Sequence, residues 1–329
     1  MFSQNIFILL GLVAIFLNSC IIFLHFHPNK TNRNSYDRLI LIFAVLDIVF
    51  AILHSILLPV FIYKENTAAF LSVGLFCCFN FSQVLLNLLY IVYLSFIVLV
   101  THSFVYRFAY FCKAELLHQL QRSEYGLFMT ICPLLIASPF MLIGNLKFGH
   151  KQEVSALLEN SLIEYDVDVF TAAYFAKIVG SGDSIYGVII FIELLVLAAA
   201  VIATCAGCTL LITRKLNKQI LSHRARRLHR RMLKLLVSQS ILPLVTLYVP
   251  VIFFIISLFS SIPVSSNASF ILALLFSFFP SLDAILVSIF VRDYRPFSRK
   301  DPTRLDKGFA GVVNAAIDAR RLSMHMAKF

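Results

Sequence analysis

Seven long apolar runs constrain this chain more than any other feature of its sequence. A transmembrane helix needs about 20 mostly apolar residues to cross about 30 Å of hydrocarbon at about 1.5 Å per residue. Seven segments meet that length, and they lie at residues 5–26, 39–62, 72–104, 125–146, 184–212, 232–260 and 268–290. The sequence therefore predicts an all-α membrane protein. It would be a seven-transmembrane helix bundle over residues 1–290, followed by a tail over residues 291–329.

The composition excludes a water-soluble fold. Hydrophobic residues make up 60% of the 329 residues and charged residues only 14%, whereas soluble domains carry roughly a quarter charged residues. The chain has 33 Phe and no Trp, which fits lipid-facing helices whose side chains need no polar partner. The net charge of +11 does not indicate nucleic-acid binding, because that would require a soluble basic domain.

The distribution of basic residues predicts the orientation, because Lys and Arg are retained on the cytoplasmic side of a membrane. The segments 27–38, 105–124 and 213–234 and the tail from residue 291 hold 24 of the 28 Lys and Arg residues. Without the tail, the comparison is 15 basic residues against 4 on the other side. We therefore expect the N-terminus to lie outside the cell and the C-terminus in the cytoplasm.

Three polar residues lie at similar depths inside predicted spans, where each costs a few kcal/mol unless it has a partner. Asn18, Asp47 and Asp283 fall in the first, second and seventh spans, each about 10 to 12 Å from the cytoplasmic end at the helical rise. We expect them to meet in one polar layer that takes part in activation. A cation, a shared proton or water would satisfy them, and a static hydrogen-bonded clasp is the alternative.

The outer halves of the spans carry candidate ligand-binding residues. Asn80, Gln83 and Asn87 share one face of the third span at spacings of three and four residues. Such amides contact either a ligand or another helix. Glu193, in the fifth span among apolar neighbours, and His54, in the second, complete the set. For Glu193 the alternative is a carboxyl group bonded to a neighbouring helix.

The sixth span combines helix-breaking and basic residues. Pro243 and Pro250 interrupt it, and Pro280 interrupts the seventh span, so both helices can bend there. The segment before the sixth span contains five arginines within about two turns, more than topology requires: Arg224, Arg226, Arg227, Arg230 and Arg231. This segment either lies on anionic lipid or docks an acidic cytosolic partner.

Several of these stretches resemble G-protein-coupled receptors, and among them the nematode serpentine chemoreceptors of the Str superfamily. The resemblance is carried by GLVAIFLNS, NSYDRLILIFAVLDI, FVYRFAYF, RRLHRRMLKLLVSQSILPLVTLYVPVIFF and FFPSLDAILVSIFVRDYRPF. It implies a receptor for an odorant or other small environmental molecule that signals to a heterotrimeric G protein. It also implies a location in the plasma membrane, in the sensory cilia of neurons.

The resemblance assigns roles to individual residues. Arg107 would be the arginine at the cytoplasmic end of the third helix that contacts the G protein, together with Arg224, Arg227, Arg230 and Arg231. Asp283 would stand near the Asn-Pro signature of the seventh helix. Two features depart from the broader class. No acid precedes Arg107, and the outer loop over residues 147–183 has no cysteine to pair with Cys77 or Cys78.

Other functional classes fit the sequence less well. A ligand-gated channel subunit of the seven-helix type is the main alternative, although the insect-type odorant channels have a cytoplasmic N-terminus. A secondary transporter would need paired inverted repeats, and seven spans do not divide that way. HExxH is absent, so an enzyme is not expected, and no cofactor or metal is expected. Cys205 and Cys208 have the CxxC spacing of some metal and redox sites, but they lie inside an apolar run and no second cysteine pair accompanies them, so we do not expect such a site.

Overall fold

The computed structural model describes residues 2–27, 35–64, 67–74, 79–120, 122–147, 173–178, 184–218, 230, 233–235, 237–239, 241–250, 252–253 and 264–291. The chain divides into two compact units, Met1–Tyr294 and Arg295–Phe329. The second unit, which contains most of the predicted tail, lies outside these residues.

Helices dominate the described part of the chain, as a membrane requires, because only hydrogen bonds within the protein can satisfy a backbone in hydrocarbon. They are α1 (Phe2–Phe26), α2 (Ser35–Leu57), α3 (Phe79–Cys112), α4 (Ala114–Leu120), α5 (Ser123–Lys147), α6 (Ser184–Lys218) and α7 (Ser266–Phe290). Within that part, five stretches are long and apolar enough to cross a membrane: Asn5–Phe26, Arg38–Leu57, Phe81–Tyr110, Leu195–Lys218 and Asn267–Phe290.

The other two predicted spans are present in different forms. The fourth corresponds to α5, whose 25 residues include Pro133 and Pro139 and which measures about 37 Å at the helical rise. The sixth is described in part, as helical residues between 233 and 250. A π-helical turn, Leu244–Tyr248, follows Pro243 directly. The predicted interruption of the sixth helix is therefore present, because proline removes one backbone donor and widens the local turn.

A three-stranded sheet corrects the all-α expectation. Strands β1 (Pro59–Lys64), β2 (Thr67–Ser72) and β3 (Tyr174–Ile178) pair antiparallel in the order β1-β2-β3. The second span was predicted to continue to residue 62 and the third to begin at residue 72, but α2 ends at Leu57 and α3 begins at Phe79. Pro59 accounts for the early end of α2, because proline disfavours helical conformation in the residue before it. A short apolar run does not distinguish a helix end from a buried strand.

The third helix lies at the centre of the packing. It contacts α2, α5 and α6, while α1 packs against α2 and α7. The main core cluster contains the fully buried side chains of Phe50, Leu94, Phe96 and Phe104. Exposed apolar side chains such as Phe16, Leu135 and Val196 cover the helix faces turned away from that core, as expected for surfaces solvated by lipid tails.

Candidate functional site

The three polar residues predicted to form one layer are all buried. Asn18 is 1% exposed, Asp47 0% and Asp283 3%. Asn18 Nδ2 donates to the carbonyl oxygen of Pro280 at 3.1 Å, which joins α1 to α7. The carboxyl group of Asp47 lies beside that of Asp283, close enough for the two to interact electrostatically, which brings α2 next to α7. The structure therefore brings the three residues together around α7.

A fourth residue, Gln239, extends this layer to the sixth span. Its Nε2 donates to Oδ1 of Asp283 at 3.1 Å and lies 3.4 Å from Oδ2, and its side chain is buried. Sequence reasoning missed Gln239, although an amide inside an apolar span was a usable signal. We call Asn18, Asp47, Gln239 and Asp283 the inner polar layer; it connects α1, α2, α7 and the sixth span.

The inner polar layer contains more buried acceptor atoms than donors. Within the described residues, no hydrogen-bond partner is found for either carboxyl oxygen of Asp47, for Oδ1 of Asn18 or for Oγ of the nearby Ser281. Two ionised carboxylates cannot bond to each other, but a carboxyl group that holds a proton donates one hydrogen bond. A layer that binds a proton, a cation or water is thus better matched to this geometry than a fully satisfied clasp is.

His54 lies in the last turn of α2, within a series of stacked rings. Its ring is 5.7 Å from that of Phe50 on one side and 6.1 Å from that of Phe276 on the other, and both pairs are inclined by 24°. We call the continuous set of rings the aromatic column; its members are Phe61, Phe276, His54, Phe50, Phe96 and Phe279.

The imidazole of His54 has one bonded and one unbonded nitrogen. Its Nδ1 lies 3.1 Å from Oγ of Ser277, whereas Nε2 is buried and has no hydrogen-bond partner in the part of the chain that the structure describes. A buried polar atom without a partner costs about 1 to 3 kcal/mol, and such atoms are uncommon in native proteins. Among the polar groups at the aromatic column, Nε2 of His54 is therefore the one prepared to bond a ligand.

The amide stripe of the third span bonds to a neighbouring helix. Gln83 Nε2 donates to Oδ1 of Asn145 in α5 at 3.1 Å, and Asn145 Nδ2 donates to Oδ1 of Asn87 at 3.3 Å. Sequence reasoning missed Asn145. The side chain of Asn80 lies outside the described residues. Of the two roles left open for this stripe, the structure shows the interhelical one for Gln83 and Asn87.

Replacing Asn145 with alanine is expected to lower the stability of the α3–α5 contact. Each interhelical hydrogen bond in a membrane contributes about 0.6 kcal/mol on average, so losing the three bonds that Asn145 makes with Gln83 and Asn87 corresponds to about 2 kcal/mol. Thermal unfolding of the purified protein measures the loss. Ser138→Ala in the same helix is the matched control, since the Ser138 hydroxyl bonds only within α5. Equal stability of the two variants would contradict the bridging role.

Glu193 remains apart from these groups. It lies in α6 with a partly exposed side chain, and no hydrogen bond or ion pair of its carboxylate is found within the described residues. The carboxylate of Glu193 in α6 is therefore not bonded to the aromatic column or to the amides of α3 within the described residues.

The end of the bundle where basic residues collect is joined by two cross-helix contacts. His102 Nδ1 lies 3.2 Å from the hydroxyl of Tyr125, which links α3 to α5. Lys215 Nζ donates to the carbonyl of Cys112 at 3.4 Å, which links α6 to the last residue of α3. Arg107 lies in the last turns of α3, between His102 and Cys112 in the sequence. Its side chain is buried, with 8% of its surface exposed.

The predicted basic docking segment is described at one residue. Arg230 is exposed, and its Nη2 donates to Oδ1 of Asn217 at 3.2 Å. Arg224, Arg227 and Arg231 lie outside the described residues, as do Cys77 and Cys78. No group of three or more His, Cys, Asp or Glu side chains that could hold a metal ion is present in the part of the chain that the structure describes.

Comparison with known proteins covers nearly the whole chain. A family model described as serpentine type 7TM GPCR chemoreceptor Str matches residues 3–298. A similar protein is serpentine receptor class r-10 of Caenorhabditis briggsae, which is 26% identical over 308 residues. That alignment covers 85% of this chain and 84% of the relative.

Proposed function

Because the chain belongs to the Str family of serpentine seven-transmembrane chemoreceptors, we propose that it binds a small molecule from outside the cell and activates a heterotrimeric G protein. The main structural support for this proposal is the inner polar layer. It joins four helices through buried polar groups beside an interrupted sixth helix. In this proposal the protein resides in the plasma membrane of sensory cilia, with its N-terminus outside, as the count of 15 basic residues against 4 supports.

The ligand binds in the outer half of the bundle at the aromatic column. His54 supplies the polar contact through Nε2, and Phe50 and Phe276 supply apolar surface on either side of the imidazole. Such a site favours a small, largely apolar molecule with one hydrogen-bonding group, because binding pockets combine apolar walls with few polar groups. Glu193, Asn80, Gln83 and Asn87 belong to the same outer half and contribute at its periphery.

The signal passes along α2 and α7. Phe50 lies one turn from Asp47 on α2, and Phe279 lies one turn from Asp283 on α7. A ligand that changes the stacking of the aromatic column therefore changes the relative position of the two carboxyl groups. Because Gln239 bonds to Asp283, the sixth helix follows. Pro243 and the π-helical turn after it supply the bend.

The receptor thus has two helix packings, and the ligand shifts the population between them. In the active packing the basic end of the sixth helix moves away from α3 and exposes Arg107 to the G protein. The arginines at positions 224, 227, 230 and 231 then form a positive docking face, which favours an acidic partner and speeds its association. The lipid surface nearby is anionic and is the competing partner for these arginines.

Replacing Arg107 with alanine is expected to reduce the maximal ligand-evoked response at least tenfold, without loss of surface expression. Arg107 lies at the end of α3 away from the aromatic column, so ligand binding remains. Cells that express the receptor are screened with volatile and water-soluble compounds, and cAMP, cGMP and calcium are recorded. Arg122→Ala is the matched control, since the Arg122 side chain is exposed and Arg122 is not one of the proposed docking arginines.

A current that persists under complete G-protein blockade would contradict this function and would indicate a ligand-gated channel instead. An undiminished response of the Arg107→Ala variant would contradict the role of Arg107 while leaving the receptor function in place.

A further inference from the structure

The strands β1 and β2 form a hairpin that is buried on both faces. Side chains alternate between the two faces of a strand. Val60, Ile62 and Leu71 pack in a cluster with Phe7 of α1 and Ala273 of α7. Phe61 points the other way, into the main core, where its ring lies 6.0 Å from Phe276 of the aromatic column. The hairpin therefore fills the space between α1, α7 and the column.

Two serine hydroxyls fasten the hairpin to the helices. Ser269 of α7, which is 1% exposed, donates through Oγ to the carbonyl of Phe61 in β1. Ser72 of β2 donates through Oγ to the carbonyl of Leu57, the last residue of α2, at 2.7 Å. A hydrogen bond between a hydroxyl and a carbonyl of another element is directional, so a small displacement breaks it, whereas apolar packing is non-directional.

The chain on either side of the hairpin has unusual backbone geometry. Leu58, between α2 and β1, has a φ of 45°, a left-handed conformation that costs a residue with a Cβ about 1 to 2 kcal/mol. Gly74 follows β2, and a Cβ added there would lie 1.8 Å from the carbonyl oxygen of Ile56. Only glycine fits this close approach. Backbone strain of this kind concentrates at switch regions and ligand clamps.

We propose that the β1–β2 hairpin, together with strand β3 that pairs with β2, is a plug that closes the aromatic column to the outside and opens by turning about Leu58 and Gly74. Opening relieves the free-energy cost of the left-handed conformation of Leu58. This gain offsets part of the free energy of burial that is lost when Val60 and Ile62 leave their cluster. The Ser269 hydroxyl is the latch of the closed state. This inference deepens the proposed function, because it regulates access to the same ligand site.

The plug predicts how fast a cysteine beneath it reacts with a water-soluble reagent. Ala273 is 2% exposed under β1, so Ala273→Cys is placed in the full-length receptor with Cys77 and Cys78 changed to serine. Intact cells are treated with the membrane-impermeant cation 2-(trimethylammonium)ethyl methanethiosulfonate. Asn267→Cys, at an exposed position near the start of α7, is the matched control and reports the amount of folded receptor at the surface.

We expect Leu58→Gly to slow the labelling of Ala273→Cys by about 5- to 30-fold, because glycine removes the strain of the closed state. We expect Ser269→Ala to speed it by about 2- to 12-fold, the effect of losing one hydrogen bond. Labelling of Asn267→Cys stays the same in each background. The plug is overturned if Ala273→Cys reacts as fast as Asn267→Cys in the unaltered hairpin, or if neither variant changes its rate.

The assay needs no ligand, so the plug and the proposed function fail separately. Unchanged labelling in a receptor that still signals would overturn the plug alone. The expected labelling in a protein that never activates a G protein would overturn the receptor function alone.

Discussion

Asp283→Ala is expected to lower the free energy of unfolding by about 1 to 3 kcal/mol and to abolish the ligand-evoked response. The carboxyl group of Asp283 accepts from Gln239 and lies within reach of Asp47. Its removal leaves the buried amide of Gln239 without this acceptor, and an unsatisfied buried group costs about 1 to 3 kcal/mol. Thermal unfolding of the purified receptor and second-messenger recording in cells measure the two effects.

Two further variants separate this loss from a general disturbance of α7. Ser288→Ala on the same helix is the control, since the Ser288 hydroxyl bonds only to the carbonyl of Ala284 in its own helix, and it is expected to change stability by less than about 0.5 kcal/mol. Combining Gln239→Leu with Asp283→Leu is expected to cost less than the sum of the single changes, because the two side chains are partners. Additive losses, or a more stable Asp283→Ala variant, would contradict the bonded layer.

His54→Phe is expected to reduce ligand potency at least tenfold in a receptor of nearly unchanged stability. Phenylalanine keeps a flat ring between Phe50 and Phe276 but lacks Nε2, the nitrogen proposed to bond the ligand. Ser277 retains its bond to the carbonyl of Ala273 at 3.2 Å, so no buried hydroxyl is left without a partner. Concentration–response curves and thermal unfolding of the same preparation give the two values.

The comparison with His54→Ala distinguishes ligand contact from packing. Alanine removes the whole ring from a column of aromatic contacts, and large-to-small core changes cost about 2 to 5 kcal/mol, so both stability and signalling are expected to fall. Ser277→Ala removes the partner of Nδ1 and leaves Nε2 in place, so potency should remain. A His54→Phe variant with normal potency would show that the imidazole only packs.

The polar layer was predictable because depth in a membrane follows from position in the sequence. Asn18, Asp47 and Asp283 lie at similar distances from the ends of their spans, and the structure brings them together. The partners of Asp283 and of the amide stripe in α3 were harder to predict. Gln239 and Asn145 depend on how the sixth span and α5 are rotated toward their neighbours, and rotation is set by packing that no single span encodes.

The hairpin escaped prediction for a different reason. The segment VFIY is apolar and continues the hydropathy of the helix before it, so length and composition assign most of it to the second span, whereas TAAFLS falls almost entirely between the second and third predicted spans. The two strands pair with each other, and β2 also pairs with β3, which lies about a hundred residues later in the chain. Pro59 was a local signal for the end of α2. The interruption at Pro243, by contrast, follows from one residue and was predicted correctly.

Epitope tags placed before residue 1 and after residue 329 test the central claim most directly. Antibody staining of intact cells is expected to detect the N-terminal tag, and the C-terminal tag is expected to stain only after the plasma membrane is permeabilised. That result places the aromatic column toward the outside and Arg107 toward the G protein. An N-terminal tag that stains only after permeabilisation, or two tags on the same side, would contradict the receptor account.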